Sequence, residues 1–331
     1  MNDQYGAGGV GSGGMGGGGG GGSVPSALDI GDVFSTTFRA LGSAIAPILV
    51  AAILVIVPAS FVGFVANVVV FYATRDLITT GGSDPMQTLA ASLVGLAATL
   101  VMLVVLMFTQ AIGQGSVVYS VVETLSGRSP GVGPALRTGF SRALSVVALN
   151  LLLGIGAFGL VMVFIVPGAV AIALMSDQPL IGTLLMFGGT LAMVVVAVVA
   201  SIYLFAASPA CVVEKLGPVA AIRRSVELTE GNRLTIFLII LAAIVAAVVL
   251  ACCIMGPIQM LVAGGAAAAS GGDITQLQNP LSAPQIIGQI VSIPMQILQF
   301  AVMSTLTSVV YARLRGVRDG VDAQSIASVF A

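Results

Sequence analysis

Six long apolar runs divide the chain, at roughly 43–73, 87–113, 145–176, 179–207, 234–268 and 285–311. Each exceeds the ~20 residues that a helix needs to cross ~30 Å of hydrocarbon. The pattern predicts an all-α integral membrane bundle of about six transmembrane helices. Several runs are long enough to require tilt, a kink, or extension beyond the bilayer. Pro58, Pro167, Pro257 and Pro294 fall inside four of them. Each removes a backbone donor and predicts a bend, and Gly256 strengthens that expectation at Pro257.

Between the apolar runs lie short amphipathic pieces. Before the first run, Ile30, Val33, Phe34, Thr37, Phe38 and Leu41 share helical spacing, with Asp29 placed as an N-cap. Before the third, Val132, Leu136, Phe140 and Leu144 do the same, and before the fifth, Val219, Ile222 and Val226. A Gly opens each piece and a Leu follows ten or eleven residues later: Gly31 and Leu41, Gly133 and Leu144, Gly217 and Leu228. This spacing fits three copies of one unit, a short interfacial helix followed by a transmembrane hairpin. It fits equally well the general need of any polytopic protein for amphipathic linkers.

Charge sharpens the picture. Arg39 precedes the first run; Arg128, Arg137 and Arg142 fall between the second and third; Lys215, Arg223, Arg224 and Arg233 fall between the fourth and fifth; Arg313, Arg315 and Arg318 follow the sixth. Only Arg75 falls on the opposite side, where Asp76, Asp84, Asp177 and Asp273 also lie. Lys and Arg resist translocation, so the basic side is expected in the cytoplasm with both termini, in the cell membrane. Composition agrees: hydrophobic residues make up 57 % and charged residues 8 % of 331, and mean hydropathy is +1.10. A soluble domain is roughly 25 % charged. The net charge of −1 gives no footprint for a nucleic-acid partner.

Residues 1–26 form a Gly-rich tail with the unbroken run Gly16 to Gly22 and are expected to be disordered. Gly11, Gly13 and Gly16 match the spacing of a dinucleotide loop, but no strand precedes them and no helix follows. The tail lacks the basic and apolar regions of a cleaved leader, so the first apolar run is expected to act as an uncleaved anchor. The expected organisation is then a tail over 1–26, a six-span domain over 27–312 and a short C-terminal tail over 313–331. The chain has no His, which removes the commonest general base and metal ligand. Cys211, Cys252 and Cys253 lack metal-ligand spacing and read as inert buried thiols. No catalytic, cofactor or metal residues are assigned.

The segment from Cys211 to Arg233 is the most informative. Pro218 suits the first position of a helix and Gly231 its C-terminal cap. Glu214, Gly217, Ala221, Ile222, Ser225, Leu228 and Gly231 fit the pattern Glu-x-x-Gly-x-x-x-Ala-hydrophobic-x-x-Ser-x-x-Leu-x-x-Gly, and Arg223 and Arg224 form a basic pair inside it. Tyr311 to Asp322 reads Tyr-x-x-Leu-Arg…Gly-x-Asp. Both resemble the membrane domain of the bacterial glycerophosphoryl diester phosphodiesterase family and its uncharacterised polytopic relatives, over residues 27 to 325. The resemblance implies a membrane domain only. A phosphodiesterase barrel would add carboxylates, a His and about 250 residues, so the activity is not expected here.

Two functions fit these residues. One is a non-catalytic membrane module that organises lipids or partner membrane proteins, because no run carries an ionisable residue near its centre. Glu123, Glu214, Glu227 and Glu230 sit at the basic boundary and are expected to pair with Arg, as in Arg223 and Glu227 at i,i+4. The other is a transporter or permease for a lipid-like or weakly polar solute. Gln289, Ser292, Gln296 and Gln299 fall on one face of the sixth run, Gln110 and Gln114 lie four apart in the second, and Asn150 sits in the third. Such amides also serve as glue between helices. Gly154, Gly156 and Gly159 read as close-packing points.

Overall fold

A computed structural model describes residues 28–80, 85–174, 179–270 and 279–320. The Gly-rich tail, residues 321–331, and Asp84, Asp177 and Asp273 lie outside the described residues. Among the described residues eleven α-helices follow one another: α1 (Ile30–Ser43), α2 (Ile45–Thr80), α3 (Pro85–Leu125), α4 (Val132–Phe164), α5 (Val166–Leu174), α6 (Pro179–Leu204), α7 (Ala207–Val213), α8 (Pro218–Thr229), α9 (Arg233–Leu250), α10 (Gly256–Ser270) and α11 (Ala283–Asp319). Among the described residues there is no strand. Six of the described segments are long and apolar enough to cross a membrane: Ile45–Arg75, Met86–Leu125, Val132–Ile172, Leu180–Val213, Arg233–Val262 and Ala283–Asp319. The all-α membrane bundle is thus the fold, and the protein is a multi-pass membrane protein.

Local chemistry sets the helix ends. Asp29 caps α1, its Oδ2 accepting from the Asp32 amide at 3.1 Å. Pro218 opens α8, where its missing N–H costs nothing. Gly231, at φ +87°, takes the left-handed turn after α8 that a side chain would oppose. Two of the four prolines mark breaks. Pro167 follows the α4–α5 break at Ile165. Pro257 follows a π-helical turn over Ala251–Met255, which absorbs its lost donor between α9 and α10. Pro58 and Pro294 lie inside unbroken helices.

The amphipathic pieces are not three equal units. The first and third, α1 and α8, are separate helices. The second is continuous with its span, because α4 runs without a break from Val132 to Phe164. In α4 the inward stripe is Ala135, Gly139, Ala143 and Val146, while Phe140 and Leu144 point outward. In α8 the inward stripe is Ala221, Ser225, Leu228 and Thr229, and Val219 is 72 % exposed. Phe140, Leu144 and Val219 thus face away from the bundle, and mostly small neighbours on α4 and α8 make the protein contact.

Small residues also place the spans. A Cβ on Gly139 would stand 2.3 Å from the Ile112 carbonyl oxygen, and one on Gly115 would stand 2.9 Å from Gly139 Cα. The backbones of α3 and α4 therefore touch at this crossing. Gly168 and Gly182 do the same for α5 on α6, and Gly189 does so for α6 on the end of α4 at Phe164. Gly154, Gly156 and Gly159 do not: nothing lies within 4 Å of a Cβ added at any of them. That corrects the expectation from sequence, since a Gly packs closely only on the face that a neighbouring helix meets.

The core gathers at the end where α1, α7 and α8 pack, called here the basic end. Val33, Ile48, Val117, Leu149, Val213, Leu228, Ile236, Val309 and Tyr311 are buried there. Toward the opposite end, the far end, large apolar side chains on α2, α3, α4 and α6 are exposed. Hydrocarbon solvates such a surface, and water would not.

Candidate functional site

Two arrangements stand out, an ion-pair clamp at the basic end and a pair of cavities beside α11. Each half of the clamp was visible in the sequence, but their meeting was not. The turn after α7 presents Glu214, and the last turns of α11 present Tyr311, Arg315 and Asp319. The Tyr311 hydroxyl donates to Glu214 Oε1 at 2.9 Å. Arg224 on α8 donates from Nε to both Glu214 oxygens, at 3.2 and 3.1 Å, and from Nη2 to Asp319. Arg315 lies 3.9 Å from Glu214 and 3.6 Å from Asp319. The Glu214 and Arg224 side chains are only 15 % and 22 % exposed. Burial pulls the Arg224 pKa down, but bonds and attraction to Glu214 and Asp319 outweigh it and raise the pKa overall. Two carboxylates and two guanidiniums thus neutralise each other where water is scarce, and each needs the others.

The other motif residues serve this joint. The Ser225 hydroxyl donates to the Tyr203 carbonyl at 2.7 Å and accepts from the Ala206 amide at 3.1 Å. One side chain so satisfies both ends of the α6–α7 break. Ala221 and Leu228 are buried beside it, and Ile222 packs partly against the core. Gly217 is the N-cap of α8. Arg223 points outward and pairs with Glu227 at 3.6 Å. The boundary carboxylates pair with Arg as expected: Glu123 with Arg128 at 3.6 Å and Glu230 with Arg318 at 3.0 Å. A further tie joins α11 to α1, where Arg313 meets Asp32 at 2.8 Å and donates to Thr36 at 3.1 Å.

The larger cavity, of about 670 Å³, lies between α2, α3 and α11 toward the far end. It is a groove rather than a closed void. Gln110, Gln289 and Gln296 line it, so the structure brings together amides from two spans. Ser60, Asn67, Thr99 and Gln285 add polar groups that the pattern of amides did not single out. Phe64, Met102 and Leu106 supply apolar wall. Ser292 accepts from Gln296 Nε2 at 3.0 Å along α11 and orients it. Gln299 is exposed and lines neither cavity, in departure from the single face expected. It sits about 60° round the helix from Gln296.

A smaller cavity, of about 270 Å³, lies nearer the basic end and is lined by Gln110, Gln114, Ser208, Phe300, Ser304, Thr307 and Ser308. Gln114 Oε1 accepts from the Ser208 hydroxyl at 2.6 Å. Asn150 lines neither cavity. Among the described residues no group of His, Cys, Asp and Glu could hold a metal ion.

Residues 28–314 match a family defined by a domain of unknown function, DUF7847. The chain belongs to that family. No curated protein and no solved structure matches it. The DUF7847 match takes in both cavities and the clamp as far as Tyr311; it ends one residue before Arg315 and leaves Asp319 outside.

Proposed function

We propose that this DUF7847 protein is a non-catalytic module of the cell membrane that binds and organises lipid, with its basic end and both termini in the cytoplasm. One observation carries the reading: a groove of about 670 Å³, at the depth of the spans, lined by amides and hydroxyls together with Phe64, Met102 and Leu106. An amide in hydrocarbon must find a partner. Amides on the groove wall offer donors and acceptors to an amphiphile's headgroup, while its tails stay in lipid. The excess of Arg at one end supports the orientation. The likeness to the phosphodiesterase family's membrane domain belongs to the same proposal and concerns the membrane segment alone. A second reading, transport of a lipid-like or weakly polar solute, is favoured by the smaller cavity sharing Gln110 with the larger.

The test is to extract the protein with its surrounding bilayer in polymer nanodiscs and compare bound lipids between wild type and Ala98→Phe. Ala98 lines the groove, and a Phe there would fill it. Wild type should retain a lipid class that Ala98→Phe loses, with the bulk lipids unchanged. Identical lipid profiles from two equally folded proteins would refute the groove as a lipid site.

A further inference from the structure

The two cavities are nearly one. Gln110 on α3 lines both. On α11, Gln296 lines the larger and Phe300 the smaller. These residues are four apart, a rise of ~6 Å, so the wall between the cavities is about one helical turn thick. Between Gln110 and Gln114 on α3, Gly113 takes the close contacts of Val55 and Phe300. A Cβ on Gly113 would stand 2.1 Å from Val55 Cγ2 and 2.8 Å from Phe300 Cζ. The Phe300 ring and the Val55 methyl therefore press on bare α3 backbone. Phe300 is only partly buried, and its ring has no polar atom to leave unpaired when it swings.

We infer that Phe300 is a shutter in a single groove, and that the groove passes the uncharged, hydroxyl-bearing headgroup of a lipid between the two leaflets. The inference rests on the lipid-binding reading above and adds movement to it. The chemistry of the walls selects the headgroup. Amides and hydroxyls both donate and accept, and so match alcohols. Among the described residues no Asp, Glu, Lys or Arg lines either cavity, so a net charge would go unpaired against these walls at high cost. The groove is open along one side, so acyl chains need not follow the headgroup through the wall. Gly113 puts no α3 side chain opposite the ring, so Phe300 is the part of the layer that a single rotamer change would move.

The full-length protein is reconstituted in phosphatidylcholine vesicles that carry a trace of fluorophore-tagged monoglucosyl diacylglycerol. Dithionite, which does not cross the bilayer, reads the rate at which the label changes leaflet. Wild type should move the label faster than protein-free vesicles. Phe300→Ala should move it roughly tenfold faster still, equivalent to lowering the barrier by about 1.4 kcal/mol. Phe300→Trp should slow it. A photoreactive form of the same glycolipid gives a separate measure of binding. Crosslinking to the groove at a protein-free rate of movement in all three proteins would overturn the passage and leave the binding site standing. No crosslinking would remove both. Exchange of free glucose without exchange of the lipid would overturn the lipid assignment. If Phe300→Ala does not fold, Gln110→Cys in a protein whose Cys211, Cys252 and Cys253 are replaced by Ala decides the matter. A water-soluble thiol reagent should reach it slowly from one side and faster after Phe300→Leu, and equal labelling with and without that change would overturn the shutter.

Discussion

The basic half and the far half of this protein are built from the same helices but held by different means. In the basic half, α1, α7 and α8 wedge between the spans, the core is buried, and charged groups tie α11 to α1, α7 and α8. In the far half, the spans run without such wedges and most of their large apolar side chains face outward. Hydrocarbon gives no hydrophobic drive for helices to associate, so contact there depends on close packing and polar bonds. Where both are sparse, a groove remains. The comparison suggests a rigid foot that aligns α2, α3 and α11 so that the groove between them can stay open.

The sharpest way to break this comparison is one substitution made in each half of the same helix. Gly139 and Gly154 both lie in α4. A side chain at Gly139 would run into the Ile112 carbonyl at 2.3 Å, and α3 and α4 would have to separate. Gly154 has open space around it. Gly139→Leu should abolish or greatly reduce the monodisperse protein recovered in detergent. Gly154→Leu should leave recovery unchanged and raise thermal stability slightly, by about 0.5–1 kcal/mol, because Gly weakens a helix interior. Equal losses at both positions would show that the far half is as tightly packed as the basic half.

Next in size comes the clamp. Glu214→Ala removes the acceptor for Tyr311 and Arg224 and leaves Arg315 facing one carboxylate instead of two. Breaking a buried pair on one side costs about 3–5 kcal/mol; with Arg224 22 % exposed, about 2–3 kcal/mol is expected after screening. Tyr311→Phe should cost only about 1 kcal/mol, since Arg224 still pairs with Glu214. Thermal unfolding in detergent ranks the two. If the rigid foot aligns the groove, Glu214→Ala should also weaken lipid retention at a temperature where the protein is still folded. A clamp variant as stable as wild type would remove the foot from the account.

Much of the fold was legible because it rests on local signals. Apolar run length marks six spans, Pro167 and Pro257 mark two breaks, and Asp29, Pro218 and Gly231 mark helix ends. What was hidden depends on partners distant in the chain. Glu214 and Tyr311 are 97 residues apart, and no spacing rule connects them. Ser225 stood in the motif, yet its task is at Tyr203 and Ala206, on another helix and at a break that apolar content conceals. The groove was half legible. Periodic amides marked α3 and α11, whereas Ser60 and Asn67 of α2 blend into a run of apolar neighbours. Gly113 and Gly139 look like Gly154 in sequence, because only a neighbouring helix distinguishes them.

The smallest effect tests whether the basic half is optimised for packing alone. Thr305 of α11 is fully buried, and its hydroxyl has no hydrogen-bond partner. Two residues on, Thr307 donates to the Met303 carbonyl at 2.8 Å, and Ser308 donates to Ser304 at 2.7 Å. An unpaired buried hydroxyl has lost its bonds to solvent without gaining others, which costs about 1–3 kcal/mol. Val has nearly the same shape and no polar atom to satisfy. Thr305→Val should therefore raise the unfolding midpoint, by the equivalent of about 1 kcal/mol, if the site is as dry and rigid as the rest of the foot. A loss of stability instead would mean that the hydroxyl meets water or a partner when the protein is in a bilayer. The basic half would then be less closed around α11 than its packing implies. Differential scanning fluorimetry of both proteins in the same nanodiscs separates the two outcomes.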